Sequence, residues 1–128
     1  MSYRIIIAAG PVTVEAELNE SPTAQRIWES LPIAGQANVW GDEIYFKIPV
    51  DMEEAPDARA DVVVGELGYW PRGEAFCIFF GPTPVSDGDQ PRAASPINPL
   101  GRVLEDVDGF RDVPPGATVT LEKAGTSP

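Results

Sequence analysis

The sequence contains no histidine and a single cysteine, Cys77. Without histidine the chain cannot build a histidine-assisted nucleophile or a histidine metal centre, and one cysteine can form neither an internal disulfide nor a thiolate cluster. Cys77 lies in the apolar run EAFCIFF without a basic neighbour, so we predict that it packs as a small buried hydrophobe. The lone thiol fits a reducing cytoplasm, and we expect no cofactor.

Basic side chains are also few, since nine Lys and Arg stand against twenty Asp and Glu, for a formal net charge of -11. This charge repels phosphate backbones and anionic lipids, so neither nucleic acid nor a membrane is an expected partner. We expect it to favour solubility instead. No apolar run approaches the roughly twenty residues that span a bilayer, and no secretory leader pattern is present, which predicts a cytoplasmic protein.

Many of the acidic residues fall in one segment, residues 50–61, which is predicted to be a loop. Its carboxylates lack the regular alternation and the closing glutamate of a calcium loop, so we predict no metal site there. These carboxylates belong to Asp51, Glu53, Glu54, Asp57 and Asp61.

Alternation of apolar and polar residues predicts a series of short strands. They fall in residues 3–18 (two strands about a Gly10-Pro11 turn), 43–49, 60–71, 74–80, 100–105 and 117–123. Ser21 can cap a helix that begins at Pro22 and ends at Pro32. Residues 106–112 favour one short helical turn, whereas the proline and glycine of residues 81–99 predict irregular structure.

These elements predict a mainly β fold, an antiparallel closed β-barrel with one clear helix and one short helical turn. The length of 128 residues suits one hydrophobic core. We therefore expect a single domain over residues 1–124, followed by a frayed tail at residues 125–128.

Two stretches resemble the cyclophilins. The residues that match in the first are Gly10, Val14, Glu17, Leu18, Pro22, Ala24 and Leu31. Those in the second are Gly73, Phe76, Ile78, Thr83, Asp87 and Gly88. The chain is more similar still to a small prokaryotic family of cyclophilin-like proteins, which shares the patterns NxWGxEIYF and VGxxGYWPxGxAxCxFFGxTPxSD. The resemblance implies the fold but no activity, because that family has no settled function.

Prolyl isomerase chemistry is not carried over by the resemblance. Cyclophilins use an arginine after a segment that is similar to residues 45–49, and this chain has no arginine there. Where cyclophilins place Gln, Phe and Trp of their groove, this chain has Ala75, Cys77 and Val85. Arg72 either replaces the missing cation or is an exposed turn residue. Because a fold alone does not confer a function, we predict no catalytic residue.

The aromatic residues at strand ends suggest a groove for a peptide or a small-molecule ligand. The candidate ligand-binding residues are Trp40, Tyr45, Tyr69, Trp70 and Arg72. Residues 82–99 are expected to border this groove. Two alternatives stay open: a divergent peptidyl-prolyl cis-trans isomerase, and an interaction protein that self-associates as a homo-oligomer through its aromatic patch.

Overall fold

A computed structural model describes residues 3–124 of the chain, and the predicted tail at 125–128 lies outside the described residues. The elements are strands of one antiparallel sheet, one α-helix and one short 3₁₀ helix. They are β1 (Tyr3–Ala9), β2 (Val12–Leu18), α1 (Pro22–Ser30), β3 (Ile33–Gln36), β4 (Asn38–Trp40), β5 (Glu43–Lys47), β6 (Arg59–Asp61), β7 (Glu66–Trp70), β8 (Ala75–Phe79), β9 (Arg92–Val103), the 3₁₀ helix (Asp108–Asp112) and β10 (Thr118–Lys123).

The first hairpin and the helix form as predicted. β1 and β2 pair in register about the turn at Gly10, whose φ of 55° suits glycine. The Ser21 hydroxyl accepts a hydrogen bond from the backbone N–H of Ala24 at 3.2 Å, which caps α1. Ala24 and Ile27 then face the core from one side of the helix.

The strands are hydrogen-bonded in the order β3-β10-β1-β2-β9-β7-β8-β5-β4, and β6 pairs with β9 beside this path. The path begins at β3 and ends at β4, which follow each other in the chain on either side of Ala37. The mainly β prediction is confirmed. The predicted closure is not confirmed, because no pairing in the described chain joins the two ends of the path.

The sheet buries apolar side chains on both of its faces around β8. Phe76, Ile78 and Phe80 belong to the main core, together with the inward side chains of β1, β2 and β10. Cys77 and Phe79 point the other way, into a smaller cluster that the first half of β9 covers. Successive side chains of β8 point to opposite faces of the sheet, so this one strand contributes to two apolar clusters. The prediction that Cys77 is buried is confirmed.

The prediction of irregular structure over residues 81–99 is wrong from Arg92 onward, where β9 begins. Proline lacks a backbone N–H and usually interrupts a sheet. Here the pairing of β7 with β9 shifts between Leu67 and Gly68, and Gly68 lies opposite Pro99. This irregularity accommodates the proline, while the rest of the strand still pairs with β2, β6 and β7.

Residues 60–71 were predicted to form one strand, but the structure divides them. A turn separates β6 from β7, because Gly65 has a φ of 92° and the Glu66 carboxylate accepts a hydrogen bond from the Val63 N–H at 3.0 Å. The short strands β3 and β4 were not predicted, whereas β6 overlaps the start of the predicted strand at residues 60–71. Within residues 3–124, no helix is both long and apolar enough to cross a membrane.

Candidate ligand-binding cavity

A cavity of about 240 Å³ lies between the sheet and the first half of β9. Its walls come from β4, β5, β7 and β9, and most of the wall surface is apolar. The lining residues are Trp40, Glu43, Tyr45, Trp70, Ala93, Ala94 and Ile97. The cavity is therefore built where β9 crosses the outward face of β5 and β7, beside the smaller apolar cluster.

The hairpin of β4 and β5 brings Trp40 opposite Glu43. Its turn needs glycine, because Gly41 has a φ of 59° and a Cβ there would lie 2.9 Å from the Cα of Thr83. Glu43 and Tyr45 are two residues apart on β5, so both side chains project from the same face of the sheet.

Trp70 is fixed at the end of β7 by contacts on several sides. Its indole N–H donates a hydrogen bond to the hydroxyl of Ser95 at 2.6 Å. The Tyr45 ring meets it edge to face, with 6.1 Å between centroids. Gly73 lies against the indole, since a Cβ there would be 2.5 Å from the ring atom Cε3. The ring thus has one defined position at the cavity wall.

Glu43 is the acidic residue of the cavity wall, and only 5% of its surface is exposed. Burial raises its pKa from 4.5 to about 7, while a hydrogen bond with Cys77 acts in the opposite direction. Among residues 3–124, no lysine or arginine lines the cavity to balance this carboxyl group. Glu43 is therefore able to hold or release a proton near neutral pH.

Cys77 adjoins Glu43 from β8 but is a poor nucleophile. Burial raises the pKa of its thiol well above the ordinary value, and the nearby Glu43 raises it further. The thiol is therefore protonated at neutral pH, and its hydrogen points to the Ala75 carbonyl, with 4.0 Å between sulfur and oxygen.

The sequence matches the model of one protein family, described as cyclophilin-like, over residues 3–122. The chain belongs to the cyclophilin-like family. A hypothetical protein from Archaeoglobus fulgidus, known from its solution structure, is 40% identical to the cyclophilin-like chain. The match covers 96% of this chain and 95% of that one, with a TM-score of 0.82. The relationship predicted from the sequence is confirmed.

A second solved structure, McbB in complex with tryptophan, is 20% identical to the cyclophilin-like chain and has a TM-score of 0.71. The match covers 97% of this chain but 46% of McbB, so this chain spans about half of that protein. At this identity the likeness shows the fold alone. No curated protein matches the sequence.

Three of the candidate residues of the cyclophilin-like chain meet at the cavity: Trp40, Tyr45 and Trp70. Tyr69 does not reach it, because it lies on the opposite face of β7 and is fully buried in the main core. Its hydroxyl donates to the Val50 carbonyl at 2.6 Å and accepts from the Met52 N–H at 3.2 Å. Tyr69 is therefore a core residue, which corrects its predicted place in a groove.

Arg72 does not line the cavity of the cyclophilin-like chain either. It is exposed in the turn between β7 and β8, and it makes no ion pair within residues 3–124. The segment predicted to border the groove does so as a strand, through Ala93, Ala94 and Ile97 of β9. Those three residues were missed because their segment was predicted to be irregular.

Glu43 was also missed, although the sequence carries a signal for it. Glu43 lies two residues before Tyr45 in a predicted strand, and this spacing places both side chains on one face of β5. The sequence does not show that β9 crosses that face and buries the carboxyl group. In the acidic segment, by contrast, no group of three acidic or cysteine side chains within residues 3–124 comes together to hold a metal ion.

Proposed function

We propose that this cyclophilin-like protein is a binding domain that holds a small ligand in the cavity of Trp40, Tyr45 and Trp70, without catalysing a reaction on it. One observation carries the proposal, namely that three aromatic rings surround an accessible space that the protein leaves unfilled. Aromatic walls with a few fixed polar groups are typical of small-molecule sites.

The size of the cavity favours a compact ligand over an extended peptide. Its volume of about 240 Å³ falls below the range of roughly 300–1,000 Å³ that is usual for drug-sized ligands. The absence of catalysis is supported by the lost cyclophilin residues and by the position of Arg72, which is outside the cavity lining.

The test uses the indole N–H signals of the three tryptophans in heteronuclear NMR spectra, with a library of small aromatic and aliphatic compounds. We expect binders to shift the signals of Trp40 and Trp70. Trp28 serves as an internal control, because its ring packs on Tyr3 at 5.0 Å on another part of the sheet.

Two variants separate the cavity from the remaining surface. Trp70→Ala should abolish the shift of Trp40, whereas Trp28→Phe should leave binding unchanged. The proposal fails if no compound shifts either cavity signal at millimolar concentration, or if Trp28 responds as strongly as they do.

A further inference from the structure

We infer that the ligand of this cavity carries a compact organic cation, an ammonium group that contacts the aromatic rings and pairs with the Glu43 carboxylate. This inference rests on the proposed function, because it names the class of ligand for the same cavity. Three independent features of the described residues support it: the ring faces and edges, the unbalanced carboxyl group, and the charge of the whole chain.

The walls of the cavity can stabilise a positive charge. A cation near the face of a tryptophan or tyrosine ring is attracted by the ring quadrupole, more strongly when water is excluded. Tyr45 and Trp70 meet edge to face at 75°, and both residues line the space. Trp40 adds a third ring from the neighbouring strand.

Glu43 supplies a formal charge that the protein itself leaves unbalanced. On the neighbouring strands it adjoins Trp40, Phe79 and the protonated thiol of Cys77. The lining residues on β9 are the aliphatic Ala93, Ala94 and Ile97. The nearby Asp42 is already paired with Arg111 at 2.6 Å. A buried carboxylate that has no cationic partner is costly. A bound cation would remove that cost.

The protein as a whole also favours a cationic ligand. Its net charge of -11 attracts cations and repels anions at a distance. The small volume of the cavity favours a compact head group, such as a trimethylammonium group, over a guanidinium group on a long chain.

The experiment compares choline with its neutral isostere, the alcohol in which a tert-butyl group replaces the trimethylammonium group. The two have the same shape and differ in charge. We expect choline to shift the Trp40 and Trp70 indole signals and to bind at least about tenfold more tightly than the isostere. Phenethylamine and 2-phenylethanol form a second matched pair with a primary ammonium group.

Glu43→Gln keeps the size of the side chain and removes its charge. It should weaken choline binding about tenfold or more and leave the binding of the neutral isostere unchanged. Choline has a fixed charge, so the pH dependence of its binding reports on the protein. Affinity should rise between about pH 5.5 and 8.5 as Glu43 loses its proton, and this rise should vanish in Glu43→Gln.

The outcomes separate the two proposals. Equal or tighter binding of both neutral compounds would overturn the cation inference and leave the binding function intact. The same holds if choline binds Glu43→Gln as well as the unchanged protein, provided that circular dichroism shows both to be folded. If none of the four compounds and no library member shifts the cavity signals, both proposals fail.

Discussion

Glu43 couples the chemistry of the cavity to the stability of the fold. Its pKa is raised by burial to about 7, whereas the ordinary value for the group is 4.5. Between these values the unfolded chain releases a proton that the folded chain keeps, so stability falls as the pH rises through this window. The loss is complete once the pH has risen well past 7, and the shift corresponds to about 3 kcal/mol.

Replacement of this one side chain tests the coupling. In urea unfolding between about pH 4.5 and 8, the unchanged protein should lose stability relative to Glu43→Gln as the pH rises. The difference between the two proteins isolates Glu43 from the other carboxylates. The control variant Glu54→Gln, altered at an exposed position, keeps Glu43 and should therefore lose stability with rising pH in parallel with the unchanged protein. A constant difference between the unchanged protein and Glu43→Gln would contradict the buried, protonated state of this group.

The turn between β7 and β8 supports the Trp70 ring at the cavity wall. A methyl group at Gly73 would lie 2.5 Å from Cε3 of the indole, closer than real contacts allow. The ring is half-buried at the edge of the smaller apolar cluster and not enclosed in the main core. Gly73→Ala should therefore displace the ring and break its hydrogen bond to Ser95 while the sheet stays folded.

The measurement for Gly73→Ala is the indole N–H signal of Trp70, together with the affinity for any ligand found by NMR. We expect a shifted or broadened signal and an affinity about tenfold lower. Gly88→Ala is the matched control, because a Cβ there meets nothing within 4 Å. An unmoved Trp70 signal in Gly73→Ala would show that the turn does not position the ring.

Some strands and the helix could be predicted from the sequence, and others could not. β1, β2, α1, β5 and β10 were predictable because local alternation, a serine cap and a short turn each determine one element. The part of β9 before Leu100 was not, because its prolines argue against a strand and its pairing depends on residues far along the chain. The same limit explains the site. Trp40, Tyr45 and Trp70 are recognisable in the sequence as candidate aromatic residues, but the strand that covers Glu43 comes from the mispredicted segment.

Tyr69 shows that an aromatic residue in a predicted strand cannot be assigned to the cavity or to the core from the sequence alone. Tyr69 and Trp70 are neighbours in sequence and both precede the turn, yet neighbouring residues of a strand face opposite sides of the sheet. The sequence supports aromatic character at both positions. It does not decide which face of β7 meets the main core and which meets the cavity.

At the scale of the whole molecule, membership of the cyclophilin-like family does not by itself imply prolyl isomerase chemistry. Prolyl isomerisation must lower a rotation barrier of about 18–20 kcal/mol, which requires groups that favour the twisted amide over the planar one. The cavity offers rings and a carboxyl group, whereas the exposed Arg72 lies outside its lining. Membership of the cyclophilin-like family does not by itself establish such stabilisation, because a fold does not confer a function.

We therefore expect no acceleration of cis-trans exchange when the protein is added at high concentration to a short Xaa-Pro peptide, measured by exchange NMR without a coupled protease. An authentic cyclophilin in the same buffer is the positive control. Arg72→Ala should behave like the unchanged protein, because Arg72 contacts neither the cavity nor another charged group in residues 3–124. Acceleration that disappears in Arg72→Ala would instead mean that an arginine in a new position restores isomerase chemistry, and the non-catalytic part of the proposed function would be wrong.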